Sequence, residues 1–165
     1  MSQLATAYVL DDSLLSELHR LVKAKKWWQF WSTKSSRLSR CWSILHKSGP
    51  DLMSSFDYSG SVFLALHTFL SDRGINLPFA EGAKGSPFEG LAMQMLLSAD
   101  ECAEFRKSLE SLQVTEQELS QYWQEFHGGE EWPEAGVAVE SARQFLILAL
   151  AECTGTNKLF FDVGY

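Results

Sequence analysis

Two short signatures constrain this chain more than any other feature. Ser98-Ala-Asp-Glu101 and Thr115-Glu-Gln-Glu118 each place a hydroxyl residue three positions before a glutamate. In such a capping box the hydroxyl accepts from a backbone N–H inside the helix, and the glutamate reaches back to the N–H of the cap. The pair predicts helices over 99–112 and 116–126. The apolar run LAMQMLL, which ends against Ser98, reads as a buried strand feeding the first of them.

The remaining segments follow from spacing. Tyr8-Val9-Leu10 reads as a short buried strand. Asp11 or Asp12 then caps a helix over DDSLLSELHRLVKAKK, with Leu14, Leu15, Leu18 and Val22 at helical intervals. SSRLSRCWSILHKSG predicts a second helix with Leu38, Trp42 and Leu45 on its core stripe, stopped by Gly49-Pro50. A third is expected over 59–72, carrying Val62, Leu66 and Phe69 on one face and Gly74 just past its end. NLPFAEGAKGSPFEG, with two prolines and three glycines, reads as a loop, and HGGEEWPEAG as a turn-rich break. The last helix is expected over 134–153, with Val139, Ala142, Leu146, Ala149 and Cys153 in step, before a final strand in KLFFDVGY. Short strands need helices packed on them. The expected fold is therefore α/β or α+β: one domain over 1–165, with a small central sheet of about three strands wrapped by about six helices.

Composition narrows the function classes. The chain is 45% hydrophobic and 21% charged, an ordinary globular balance. No apolar run approaches the roughly 20 residues that span a bilayer. MSQLATAYVLDD lacks the basic start of a secretory signal, so a cytoplasmic protein is expected. Cys41, Cys102 and Cys153 are odd in number and have no CxxC spacing, which argues against a disulfide framework or a zinc knuckle. Charge is segregated. Residues 1–50 carry eight basic against three acidic side chains, a net +5; residues 51–165 carry six against eighteen, a net −12. An acidic majority disfavours nucleic acid, whose phosphates need clustered Lys and Arg. It suits a basic protein partner.

Catalytic signatures are missing. GAKGSPFEG has neither P-loop nor GxGxxG spacing, Ser59-Gly-Ser61 is not a nucleophile elbow, and no histidine pair has metal-ligand spacing. No metal or cofactor is expected. A candidate pocket consists of Trp42 and His46, which share a helix face, with His67 from the next helix and Asp51 or Asp57 nearby as orienter. The plain alternative for His46 is a histidine bonded to backbone near a helix end. Glu130, Glu131 and Glu134 bracket Trp132, an aromatic anchor inside a charged rim that suits protein recognition. Packing of Trp132 onto the body is the structural alternative.

KWWQFW raises a geometric problem. On a helix Trp27 and Trp31 share a face while Trp28 points elsewhere. On a strand Trp28 and Phe30 oppose Trp27 and Trp31. At least one ring of Trp27, Trp28 and Trp31 is expected at the surface, where it could anchor a protein partner. Flanking lysines would suit stacking on bases or a membrane interface, but so short a cluster in an acidic chain makes nucleic acid and membrane weaker expectations.

The strand and acidic turn in AYVLDDSLLSELHRL, the Leu38, Trp42, Leu45 and His46 pattern, and Leu97-Ser-Ala-Asp-Glu101 together resemble the YfbM-like family of uncharacterised bacterial proteins. The likeness runs in order over nearly the whole chain, through short motifs. It departs at Lys47-Ser-Gly-Pro50, where the family has a Thr-Gly at longer spacing, and at WWQFW. It implies a small interaction protein, some members resembling toxin-neutralising immunity proteins, and carries over no catalytic residue. The combined expectation is a non-enzymatic protein-binding protein, most concretely an immunity-type neutraliser of a bacterial toxin. The alternative is a small-ligand-binding domain or enzyme with its pocket near Trp42 and His46. Oligomeric state is left open.

Overall fold

A computed structural model describes residues 5–23, 34–81 and 93–163. Among them the order is β1 (Ala5–Leu10), α1 (Asp12–Lys23), α2 (Lys34–Ser48), one 3₁₀ turn (Leu52–Ser55), α3 (Ser61–Asp72), β2 (Ala80–Glu81), β3 (Met93–Ser98), α4 (Ala99–Ser111), α5 (Glu116–Phe126), α6 (Ala135–Glu152) and β4 (Lys158–Val163). The strands form one antiparallel sheet in the order β1-β4-β3-β2. The class is α+β: the strands are antiparallel and the helices are not parallel crossovers. The short β2 falls in the stretch read as a loop, where Ala80 and Glu81 pair with Gln94 and Met93. Two residues are too few to show alternation, so no strand signal is readable there.

β4 holds the centre, with β1 and β3 on either side. Its Leu159, Phe160, Phe161, Asp162 and Val163 are all buried, so the usual in-out alternation is absent. The reason is a helical layer on each face. Leu159, Phe161 and Val163, with Ala7, Met95 and Leu97, meet α3, α4 and α6 in the larger core. Phe160, with Tyr8 and Leu10, meets Leu15 and Leu18 of α1 and Cys41 and Leu45 of α2 in the smaller one. Phe161 anchors the larger core: the rings of Phe63, Phe79 and Phe145 sit around it at 4.9, 5.7 and 6.4 Å between centroids, all edge-on. Such aromatic pairs add about 0.5–1.5 kcal/mol each beyond their burial.

Local chemistry sets the helix ends. Asp11 accepts from Leu14 N–H at 2.7 Å to start α1. Both capping boxes are formed, at Ser98–Glu101 and Thr115–Glu118. At the end of α3, Ile75 N–H donates to Leu70 C=O and Gly74 N–H to Ser71 C=O. This Schellman closure needs a left-handed residue, and Gly74 supplies it with φ 79°. Asp51 serves two elements: one carboxylate oxygen accepts from Met53 N–H, capping the 3₁₀ turn, and from Ala7 N–H of edge strand β1, each at 3.0 Å. A sheet edge is thereby partly closed by a charged group.

The buried stripe of α2 runs through Cys41 and Leu45, which corrects the expected placement of Trp42 on it. Trp42 is half-buried at the margin, its ring 6.4 Å from that of Phe160. Cys41 and Leu45, one helical turn apart, pack with Tyr8, Leu10 and Phe160 in the smaller core, and Trp42, about 100° further round the helix from Cys41, falls at its margin. Trp27, Trp28 and Trp31 lie outside the described residues.

α5 and α6 pack closely through Gly136. A Cβ at this position would run into the carbonyl oxygen of Glu116 and crowd the Ser120 side chain. A backbone atom cannot swing away as a flexible side chain can. Gly136→Ala is therefore expected to lose about 3 kcal/mol in chemical denaturation, despite alanine's better helix propensity. Unchanged stability would show that the two helices can separate without cost.

Candidate protein-binding groove

The structure divides the first candidate pocket. Trp42 and His46 are neighbours, with ring centroids 6.2 Å apart. His46 Nδ1 lies 2.7 Å from the hydroxyl of Tyr8, a residue only 2% exposed. Burial, then the nearby Asp51 carboxylate, pushes the Tyr8 hydroxyl up to about 12, so it stays protonated at neutral pH. His67 is elsewhere. Its ring packs edge-on against Phe79, which in turn meets Phe161 on the opposite face of the sheet. Burial lowers the His67 pKa, and its Nδ1 is buried with no hydrogen-bond partner among the described residues. His46 and His67 thus cannot converge on one ligand, because the sheet stands between them. Asp51 accepts from two backbone N–H groups and also faces the Tyr8 hydroxyl, and Asp57 is exposed on another surface. Among the described residues no three His, Cys, Asp or Glu side chains gather as a metal-binding set.

The acidic loop is more productive. Gly128 and Gly129 adopt φ of 65° and 96° after α5, turning the chain so that Glu130 and Glu131 are exposed. Trp132 is half-buried between Trp123 and Tyr58, with edge-on centroid distances of 5.0 and 6.0 Å. It therefore packs the loop down while keeping part of its ring at the surface. Trp123 is held from its other side by His127, stacked at 3.8 Å.

Tyr58 leads from this loop into a groove of about 380 Å³. One wall is the outward stripe of α6, Val137, Ser141, Gln144 and Leu148, and the other is Phe56 to Tyr58. Phe145 meets Phe56 at 5.6 Å across the floor. Leu148 is 67% exposed and Val137 44%, an unusual outlay of aliphatic surface on a helix whose opposite face is core. The lining carboxylates are Asp57, Glu116 and Glu140, and among the described residues no lysine or arginine lines it. Glu140 is bound to Arg143 through two contacts of 2.7 and 2.8 Å, and Arg143 also donates to Leu109 C=O at the end of α4. Burial would raise the Glu140 carboxyl, but the hydrogen bonds from Arg143 and Gln144 hold it below its usual range. The groove is thus apolar along its length and anionic at its rim.

Sequence reasoning passed over the buried pair Asp162 and Gln94. They stand opposite each other on β4 and β3, fully enclosed or nearly so, with Gln94 Nε2 donating to Asp162 Oδ1 at 2.8 Å. Thr6 faces Asp162 from β1, and its hydroxyl has no hydrogen-bond partner among the described residues. Its sequence signs are single polar residues inside otherwise apolar runs, Asp162 in KLFFDV and Gln94 in LAMQMLL.

Burial raises the Asp162 pKa, only partly opposed by Gln94. A carboxyl whose folded value lies above its unfolded one favours folding at pH below the unfolded value, near 4. That contribution is lost as pH climbs through the folded value. Asp162→Asn keeps the acceptor for Gln94 and removes the charge. It is expected to raise the melting temperature at pH 7 and to give no such gain at pH 3. A loss at both values would mean the carboxylate is required in the fold.

No family model, no curated protein and no solved structure matches this chain.

Proposed function

We propose that this chain is a non-enzymatic protein-binding protein, most concretely an immunity-type neutraliser that occludes a bacterial toxin. The observation carrying this reading is the groove beside α6. Leu148 and Val137 stand exposed above an aromatic floor and beside lining carboxylates, and Trp132, next to exposed Glu130 and Glu131 in the chain, packs on the lining residue Tyr58. A contiguous apolar surface edged by charge is the usual form of a protein-binding site. Neutralising by obstruction needs only a complementary surface of ordinary interface size and no reacting group. The residues behind the YfbM-like resemblance have structural places: Leu45 in the smaller core, Trp42 and His46 at its margin, Ser98 and Glu101 in a helix cap. The alternative, a ligand or catalytic site near Trp42 and His46, draws on the short Tyr8–His46 contact but has lost His67 to the other side of the sheet.

The test is co-expression with the product of the adjacent gene. Protection of growth and a stoichiometric complex in size-exclusion chromatography are expected. Leu148→Asp should weaken that complex by about 2 kcal/mol, roughly thirtyfold in affinity. Its stability should stay within about 0.5 kcal/mol of the wild type, since an exposed side chain loses few contacts. A chain that neither protects nor binds would overturn the reading.

A further inference from the structure

We infer that the occupant of the α6 groove is a cationic amphipathic helix of the protein partner, a deduction that rests on the protein-binding reading above. Backbone accounting selects a helix. The groove wall is itself a helix, whose N–H and C=O groups are already paired internally. An extended segment laid on it would bury unpaired backbone groups, whereas a helix brings its own satisfied. The stripe Val137, Ser141, Gln144, Leu148 steps by four, three and four residues, a straight ridge of about 16 Å at 1.5 Å per residue. A partner helix of about three turns matches that length. Its apolar side chains would lie along Val137, Phe145 and Leu148.

Charge selects the sign. Asp57 and Glu116 are exposed at the rim, and among the described residues no basic side chain lines the groove to neutralise them. Arg143, on the same helix, is 9% exposed and occupied by Glu140 and Leu109. Lysines or arginines flanking the partner's apolar stripe would meet Asp57 and Glu116, steering the encounter and setting its orientation. The same field repels anionic lipid and nucleic acid, and it sets two copies of this groove against each other.

The probe is an 18-residue helix of leucine, lysine and alanine, with leucines spaced four, three and four apart. Two controls share its composition or pattern: a scrambled order, and a version with glutamate in place of lysine. Fluorescence anisotropy with the full chain is expected to show binding of the patterned lysine helix that weakens with salt. Leu148→Asp should cut affinity at least tenfold. Asp57→Asn with Glu116→Gln should also reduce it and flatten the salt dependence. Equal binding of the scrambled or glutamate helix overturns the inference, as does affinity unchanged by the groove variants. A dimer in sedimentation equilibrium that Leu148→Asp dissociates overturns it too, by making a second copy the occupant. The same variants are carried into the growth-protection assay. If they protect as well as wild type, the groove assignment fails while protein binding stands; if wild type gives no protection, the broader reading fails.

Discussion

The architecture depends on β4 being paired at both edges and covered on both faces. Its register with β1 and β3 places Phe160 beside Tyr8 and Leu96 on one side of the sheet, and Phe161 beside Ala7 and Met95 on the other. A shift of one residue would exchange these sets and drive Phe161 into the smaller core. The large core, with four of the six described α-helices, and the small one, built from α1 and α2, are therefore specified together by a single strand. The price is a polar row in the middle of the fold: Asp162, Gln94 and Thr6 share the α1–α2 face with the aromatic residues and are removed from water.

Packing on one side of α6 sets what is possible on its other side. Ala135, Ala138, Val139, Ala142, Leu146 and Leu150 are spent on the core, and Gly136 lets α5 come close. The helix is then held by Arg143, which ties it both to Glu140 on the same helix and to the end of α4. A helix so firmly fixed can present Leu148 and Val137 as a rigid surface. Rigidity matters to binding because a preorganised face loses little conformational entropy when a partner docks.

The helix ends were readable because they are local. A capping box is closed within four residues, and the Schellman turn at Gly74 within six, so sequence order already carries the geometry. The face a helix buries was read less well. Helical spacing was read as placing Trp42 on the stripe of α2, but the tertiary packing buries Cys41 and Leu45 and leaves Trp42 at the margin. The site was hardly legible at all. Glu130, Glu131 and Trp132 stood out as an acidic aromatic cluster, but Phe56, Asp57, Glu116 and Leu148 are scattered along the chain and only the packing of α6 against the 56–58 segment makes them neighbours.

Local sequence was enough for the order of the helices and of every strand but β2, for the helix starts at Asp12, Ala99 and Glu116, and for the segregation of negative charge into the later part of the chain. These follow from hydrogen bonds and periodicities that act over a few residues. Tertiary structure decided which chemistries could meet. It put the sheet between His46 and His67, tied Asp51 to the β1 edge, and opened an anionic, apolar groove beside α6. Such juxtapositions depend on long-range strand register and helix packing, in which each residue's neighbours are chosen by the whole core and not by the residues beside it in the chain.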